Sequence, residues 1–183
     1  IEYRSADGQY DRLPALPAEL IRLQPDVIVT SGQGIRVLKE ATKTIPIVMA
    51  VGGDVVADGL VVSLARPGGN ITGSVAFSPE LAAKRLDLLK GAVPGLARVA
   101  VLLNPANRAS SMDFEVMKKA ATALQVEVFE VPARSPQEFD DAFALMLRRR
   151  AEGLVTLGDS MLVANMRRLG EMSAAKRLPG AGS

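Results

Sequence analysis

The sequence predicts an α/β protein of two parallel-sheet lobes joined by a hinge. Short apolar, β-branched runs alternate with helical stretches along the whole chain. Clusters of glycine, proline, asparagine and aspartate separate them. One cluster, Ala65-Arg66-Pro67-Gly68-Gly69-Asn70, falls mid-chain and divides the alternation into two β-α-β series. The lobes are therefore set at 1–68 and 69–183, with the hinge at Arg66–Asn70.

Taken in order, Ile1–Arg4 alternates apolar and polar residues, as an extended segment does. Leu13, Leu16, Leu20 and Leu23 share one helical face, and Pro14 and Pro17 delay the regular part of that helix. Val27–Thr30 reads as a strand, Ser31–Gly34 as a turn, and Ile35–Thr42 as a helix. Ile47–Val51 is the next strand; Asp54 follows it, and Gly59–Leu64 is a short apolar segment leading to the breaker.

The second series opens with Ile71–Phe77 as a strand, and its helix carries Ala82, Leu86, Leu89 and Val93 up to Pro94-Gly95. Val99–Leu103 is a buried strand and Asn104–Asn107 a turn. Phe114, Met117, Ala121 and Leu124 line a helix, and Val126–Val131 forms a strand. Ser135-Pro136-Gln137-Glu138 is a helix start: a capping serine, proline at the first helical position, and a glutamate three residues on. Phe139, Ala142, Phe143 and Met146 are that helix's buried stripe. Gly153–Leu157 is a strand, Gly158-Asp159-Ser160 a loop, and Leu162, Met166 and Leu169 mark a final helix. These phenylalanine and methionine stripes read as core packing.

Composition removes several classes of function. At 183 residues with 48% hydrophobic content the chain folds as one medium domain or two small ones. Cysteine and histidine are both absent, which excludes thiolate nucleophiles, disulfides, imidazole bases and serine–histidine triads, and leaves no ordinary ligands for structural zinc. No metal or cofactor is expected. The 22 basic and 20 acidic residues leave a net charge of +2. The Arg148–Arg150 and Arg167–Arg168 runs lack interleaved aromatics, so no nucleic-acid partner is expected. No uncharged apolar run approaches the ~20 residues that span a bilayer.

Ligands of open parallel sheets bind beyond the carboxyl ends of the strands. That rule selects Thr30–Gly34, Gly52–Asp54, Asn104–Asn107 and Gly158–Ser160. Thr30, Ser31, Gly32 and Gln33 offer hydroxyls and backbone N–H groups at a helix start, suited either to a ligand carboxylate or to ordinary helix capping. Asp54 and Asp159 each follow a strand; either is a partner for a ligand ammonium, or a helix cap or solvated loop acid. Asn104, Asn107 and Ser160 add hydrogen-bonding groups in the second lobe. Thr72 and Ser74 face the cleft or merely the sheet. Phe77 is the nearest aromatic to stack on a ligand ring, or else a core residue. Gly32-Gln33-Gly34-Ile35-Arg36-Val37, with Asp54 further on, partly imitates a dinucleotide fingerprint, which would make the chain a Rossmann-like nucleotide- or NAD-binding enzyme domain. Bulky Val37 stands where that motif wants a small residue.

The mid-chain stretch also carries a family resemblance. Ile45-Pro46-Ile47-Val48-Met49-Ala50, Gly53-Asp54, Gly59-Leu60 and Ser63-Leu64-Ala65-Arg66-Pro67-Gly68-Gly69-Asn70-Ile71-Thr72-Gly73 resemble a hallmark run of ABC-transporter substrate-binding proteins of the tryptophan/tyrosine-binding type. Glu2-Tyr3-Arg4, Tyr10–Pro14, Asp26–Thr30, Lys84-Arg85-Leu86, Leu88-Leu89-Lys90, Arg98–Leu102 and Asn104-Pro105 extend the resemblance over nearly all of 1–179. Val55 departs from the family's usual proline, which implies a less rigid loop after Asp54. The resemblance implies a type I periplasmic binding-protein fold, incomplete at both ends. The first strand–helix unit would be missing, and the second lobe would be truncated before its final strands. It further implies a monomeric solute receptor, periplasmic or lipid-anchored. Such a receptor would close on a small ligand, an amino acid and in particular an aromatic one, and hand it to inner-membrane ABC permease subunits. A fragment of this kind is expected to bind weakly or not at all by itself.

Overall fold

The computed structural model describes residues 1–7, 9–56, 58–75 and 79–182. They form two compact units, Ile1–Phe77 and Ser78–Ser183.

In the first unit a 3-10 turn at Tyr10–Arg12 precedes α1 (Leu16–Arg22), which starts late, with Pro17 in its first turn as expected. Then come β1 (Ile28–Ser31), α2 (Gly34–Ala41), β2 (Ile47–Gly52) and β3 (Ile71–Val75). The three strands make one parallel sheet in the order β1-β2-β3. Ile28, Ile47 and Ile71 lie in one row across it and point into a core shared with Ile35 and Leu38 of α2. On the other face Val29 is 65% exposed and Thr72 is exposed. Ile1–Arg4 is not a strand: it forms no β-ladder with any described residue, Arg4 instead donating to Glu19 at 3.1 Å, and Ile1 and Tyr3 are exposed.

The partner of β3 corrects the expected lobe boundary. Residues 69–75, assigned by sequence to the second lobe, belong to the first sheet, and Arg66–Asn70 is an internal loop of that unit. A parallel return between neighbouring strands needs a crossover of about a dozen residues or more, and the stretch from 53 to 70 supplies it. Asn70 pins the end of this crossover by donating its side-chain amide to the carbonyls of Thr42 (3.2 Å) and Ile45 (2.7 Å). Val55, Leu60 and Val61 plug the crossover into the core. Val55 is 1% exposed, donates its N–H to Gly53 O at 2.9 Å, and accepts from the N–H groups of Leu60 and Val61. A proline there would lack that donor. Ala76 and Phe77, expected at the end of this strand, lie outside the described residues.

The second unit runs α3 (Pro79–Ala92), β4 (Arg98–Leu103), α4 (Arg108–Ala123), β5 (Glu127–Pro132), α5 (Phe139–Arg148), β6 (Gly153–Thr156), α6 (Ser160–Ala164), α7 (Met166–Ala175) and β7 (Gly180–Ala181). Its parallel sheet has the order β5-β4-β6-β7. β4 is central and covered on both sides, as all-parallel sheets require. Val99, Val101 and Leu103 join Leu86, Leu89, Phe114 and Met117 from α3 and α4. Ala100 and Leu102 face Phe139, Phe143, Met146, Leu162 and Leu169 from α5, α6 and α7. The expected phenylalanine and methionine stripes are this core. Three details differ from expectation. The final helix is two helices meeting at Asn165, β7 was not anticipated, and the capping box before α5 is only half formed. Ser135 makes no side-chain cap, residues 136–138 form a 3-10 turn, and Glu138 accepts from Arg134 N–H at 2.9 Å.

Candidate functional site

Because each sheet is parallel, its strands all end along one edge, and the loops there can cooperate. In the first unit these ends carry Thr30-Ser31 closing β1 with Gly32-Gln33 after it, and Gly53-Asp54 after β2. Both ladders slip at this edge, between Thr30 and Ser31 and between Met49 and Gly52. The slips bring Ser31 opposite Val51 and Gly52 opposite Val75.

Ser31 and Gly32 are exposed. Gly32 holds φ +56°, a left-handed angle suited to glycine, and donates its N–H to Val51 O at 3.2 Å. Thr30 turns its hydroxyl back over Gly34, where a Cβ would meet it unless the hydroxyl rotated away. Neither Thr30 nor Ser31 caps α2. The N-cap residue is Gln33, in helical conformation and with no side-chain cap. Asp54 is half-buried at the end of β2, and its carbonyl accepts from Asp58 N–H at 2.9 Å. Ser74 is exposed near the same edge. Thr72 stands further back, in the row Val29–Val48–Thr72, away from the strand ends.

In the second unit the neighbouring strands β4 and β6 end side by side, with Leu102 opposite Thr156. All four predicted residues meet here. Asn107 caps α4, accepting from Ala109 N–H at 3.1 Å, and its side-chain amide donates to Gly158 O and Asp159 Oδ2, each at 3.1 Å. Asp159 caps α6 through Oδ1, accepting from Met161 N–H (2.9 Å) and Leu162 N–H (3.2 Å). Ser110 donates its hydroxyl to Gly158 O at 3.0 Å. Asp159 is 4% exposed, so it serves as a helix cap and an inter-loop acceptor. Asn104 is wholly buried; its Oδ1 accepts from Ala106 N–H at 3.0 Å, and its Nδ2 has no acceptor among the described residues. Ser160, the first residue of α6, is exposed.

One group escaped the sequence reading. Arg108 begins α4 at the same edge, exposed and with no ion pair among the described residues. A cation is disfavoured at a helix N-terminus by about 0.3–1 kcal/mol. Its signal in the sequence was a basic residue directly after the capping Asn107. Among the described residues no group of three or more His, Cys, Asp or Glu side chains is placed to hold a metal ion. Nor is any helix among them long and apolar enough to cross a membrane.

Comparison with known proteins assigns the family. The tyrosine-binding protein of Clostridioides difficile (strain R20291) is 24% identical over 180 residues, which cover 98% of this chain and 51% of that protein. A crystal structure described as the ABC domain in complex with L-Trp, from Streptococcus pneumoniae, superposes with a TM-score of 0.87 at 21% identity. The match covers 100% of this chain and 61% of that one. A conserved domain protein from Vibrio cholerae O1 biovar El Tor also superposes at 0.87, with 24% identity, covering 99% of this chain and 60% of the other. The chain thus spans about half the length of the curated relative and about three-fifths of each structure. The two superpositions bear out the α/β fold of parallel sheets and its type I periplasmic binding-protein kind. The family model described as ABC transporter substrate binding protein matches residues 1–183. A match over the whole length leaves the dinucleotide reading of Gly32–Gly34 without support, and the chain belongs to the ABC transporter substrate-binding protein family.

Proposed function

We propose that this chain forms the solute-holding part of an ABC importer's receptor, and that its ligand is a small amphipathic carboxylate, with an aromatic amino acid as the leading candidate. The observation that carries the reading is the start of α2 at the strand-end edge, directly beside exposed Ser31 and Gly32. Backbone N–H groups and the helix dipole favour an anion at such a terminus. Asp54, at the end of the next strand, is the acid of choice for an α-ammonium. Ser74 and Gln33 flank this set in the first unit. The second unit, taken by itself, offers Ser160 and the Asn104–Asn107 loop at its own strand-end edge. Thr72 is the weakest member, and Asp159 acts through its neighbours. The L-Trp of the pneumococcal complex and the name of the clostridial relative point to the same ligand class.

In this role no covalent bond is made or broken, and the ligand passes to a membrane permease from an extracytoplasmic, periplasmic or lipid-anchored, receptor. The test is a thermal-shift and calorimetric screen of the full-length protein against L-tyrosine, L-tryptophan, NAD and ATP. Binding of an aromatic amino acid that weakens at least tenfold, about 1.4 kcal/mol, in Asp54→Ala supports the proposal. Stabilisation by NAD or ATP with none by amino acids refutes it.

A further inference from the structure

We infer that the side-chain bond between Asn107 and Asp159 is a positioning device that holds the two strand-end loops of the second unit in their ligand-ready arrangement. The inference rests on the ligand reading above. Asn107 and Asp159 each cap a helix, and capping alone asks only for an acceptor oxygen, which serine, threonine or aspartate supplies equally well. The NH2 group of Asn107 has no task in its own helix. It is spent instead on Asp159 Oδ2 and Gly158 O, across to the loop after β6. Ser110, fully buried in the first turn of α4, adds a second donor to the same Gly158 carbonyl. Asn104 closes the near side: its carbonyl accepts from Asn107 N–H at 2.9 Å and its Oδ1 from Ala106 N–H.

The start of α4 and the start of α6 are therefore fixed to each other at the edge where Ser160 and Arg108 are presented to solvent. Two loops tied in this way keep their spacing before any ligand arrives. Preorganisation of this kind raises affinity by reducing the ordering cost of binding. If the tie is cut, only a fraction of molecules is competent, and apparent affinity falls by that fraction.

An exchange of the two residues tests this. Asn107→Asp places two carboxylates about 3 Å apart, and Asp159→Asn places two amides there, in each case a mismatched pair. The double variant Asn107→Asp/Asp159→Asn restores one donor facing one acceptor and keeps both caps, since asparagine and aspartate cap equally well, and leaves Gly158 O with Ser110 as its side-chain donor. L-tyrosine and L-tryptophan affinity, association rate and thermal midpoint are measured on the full-length wild-type protein and the three variants. The expected result is a loss of about tenfold or more in affinity for each single variant, carried mainly by slower productive association. The double variant should bind more tightly than either single variant, short of wild type by the lost bond from residue 107 to Gly158 O. A purely structural pair would lower the thermal midpoints and leave the affinity of the folded protein unchanged; that outcome overturns the inference, as does a double variant no better than the singles. If the wild-type protein binds neither amino acid, the ligand reading itself falls, and this inference falls with it.

Discussion

Gly73 is the residue whose replacement the geometry penalises most clearly. It sits in β3 at φ +135°, where an L side chain is strained by about 1–3 kcal/mol. A Cβ built there would lie 2.6 Å from Met49 N and 2.8 Å from Met49 C, and closer still to Met49 O. The obstacle is backbone of the neighbouring strand, which no rotamer change can relieve. To accept alanine, β3 must draw away from β2 where the ladder already slips. That forfeits one or two ladder hydrogen bonds at about 1 kcal/mol each. The sum is about 2–5 kcal/mol, against a total of about 5–15 kcal/mol for a typical folded protein. Gly73→Ala should therefore bring the first unit near its folding threshold and leave the second unit folded. Urea unfolding followed by hydrogen-exchange mass spectrometry separates the two, with β2 amides reporting on the first unit and β4 amides on the second. Gly69→Ala and Gly170→Ala are the controls, because a Cβ at either position meets nothing within 4 Å. A Gly73→Ala protein within about 0.5 kcal/mol of wild type in the first unit would refute the reasoning.

Two further predictions concern charge. Arg108→Glu replaces a disfavoured cation with a favoured anion in the first turn of α4, so the second unit should gain about 0.3–1 kcal/mol by urea unfolding. If a carboxylate ligand approaches this edge, its affinity should fall in the same variant, which gives two readouts of opposite sign. Burial holds the Asp113 carboxyl above its ordinary 3.8, and nearby Arg85 offsets part of that rise. The stability this group contributes is present below its ordinary value and lost as pH rises through the raised one. Asp113→Asn should accordingly stabilise the protein at pH 7 and match wild type near pH 3. Glu152 moves the other way. Hydrogen bonds from the Ala97 and Arg98 N–H groups hold its carboxyl below its ordinary 4.5. Its contribution is present above 4.5 and lost as pH falls through the lowered value, so Glu152→Gln should lose stability at pH 7 and converge with wild type in acid. Thermal midpoints of both variants between pH 3 and 7 check the two signs.

Hydrophobic period and breaker residues determined most of this architecture by themselves. They located the four strand-end loops and the helices between, because strand alternation and helical stripes are local properties of a few consecutive residues. Tertiary structure decided what local pattern cannot express, namely which strand pairs with which and where a polar side chain is spent. The breaker at Arg66–Asn70 reads in the sequence as a hinge between two lobes. Only the reach of Asn70 back to Thr42 and Ile45 settles that it closes the first sheet. Asp159 reads as a ligand acid, a helix cap or a solvated loop acid until Asn107, 52 positions earlier, is found bonded to it. Such pairings depend on residues far apart in the chain being brought within about 3 Å, a distance that neither composition nor spacing encodes.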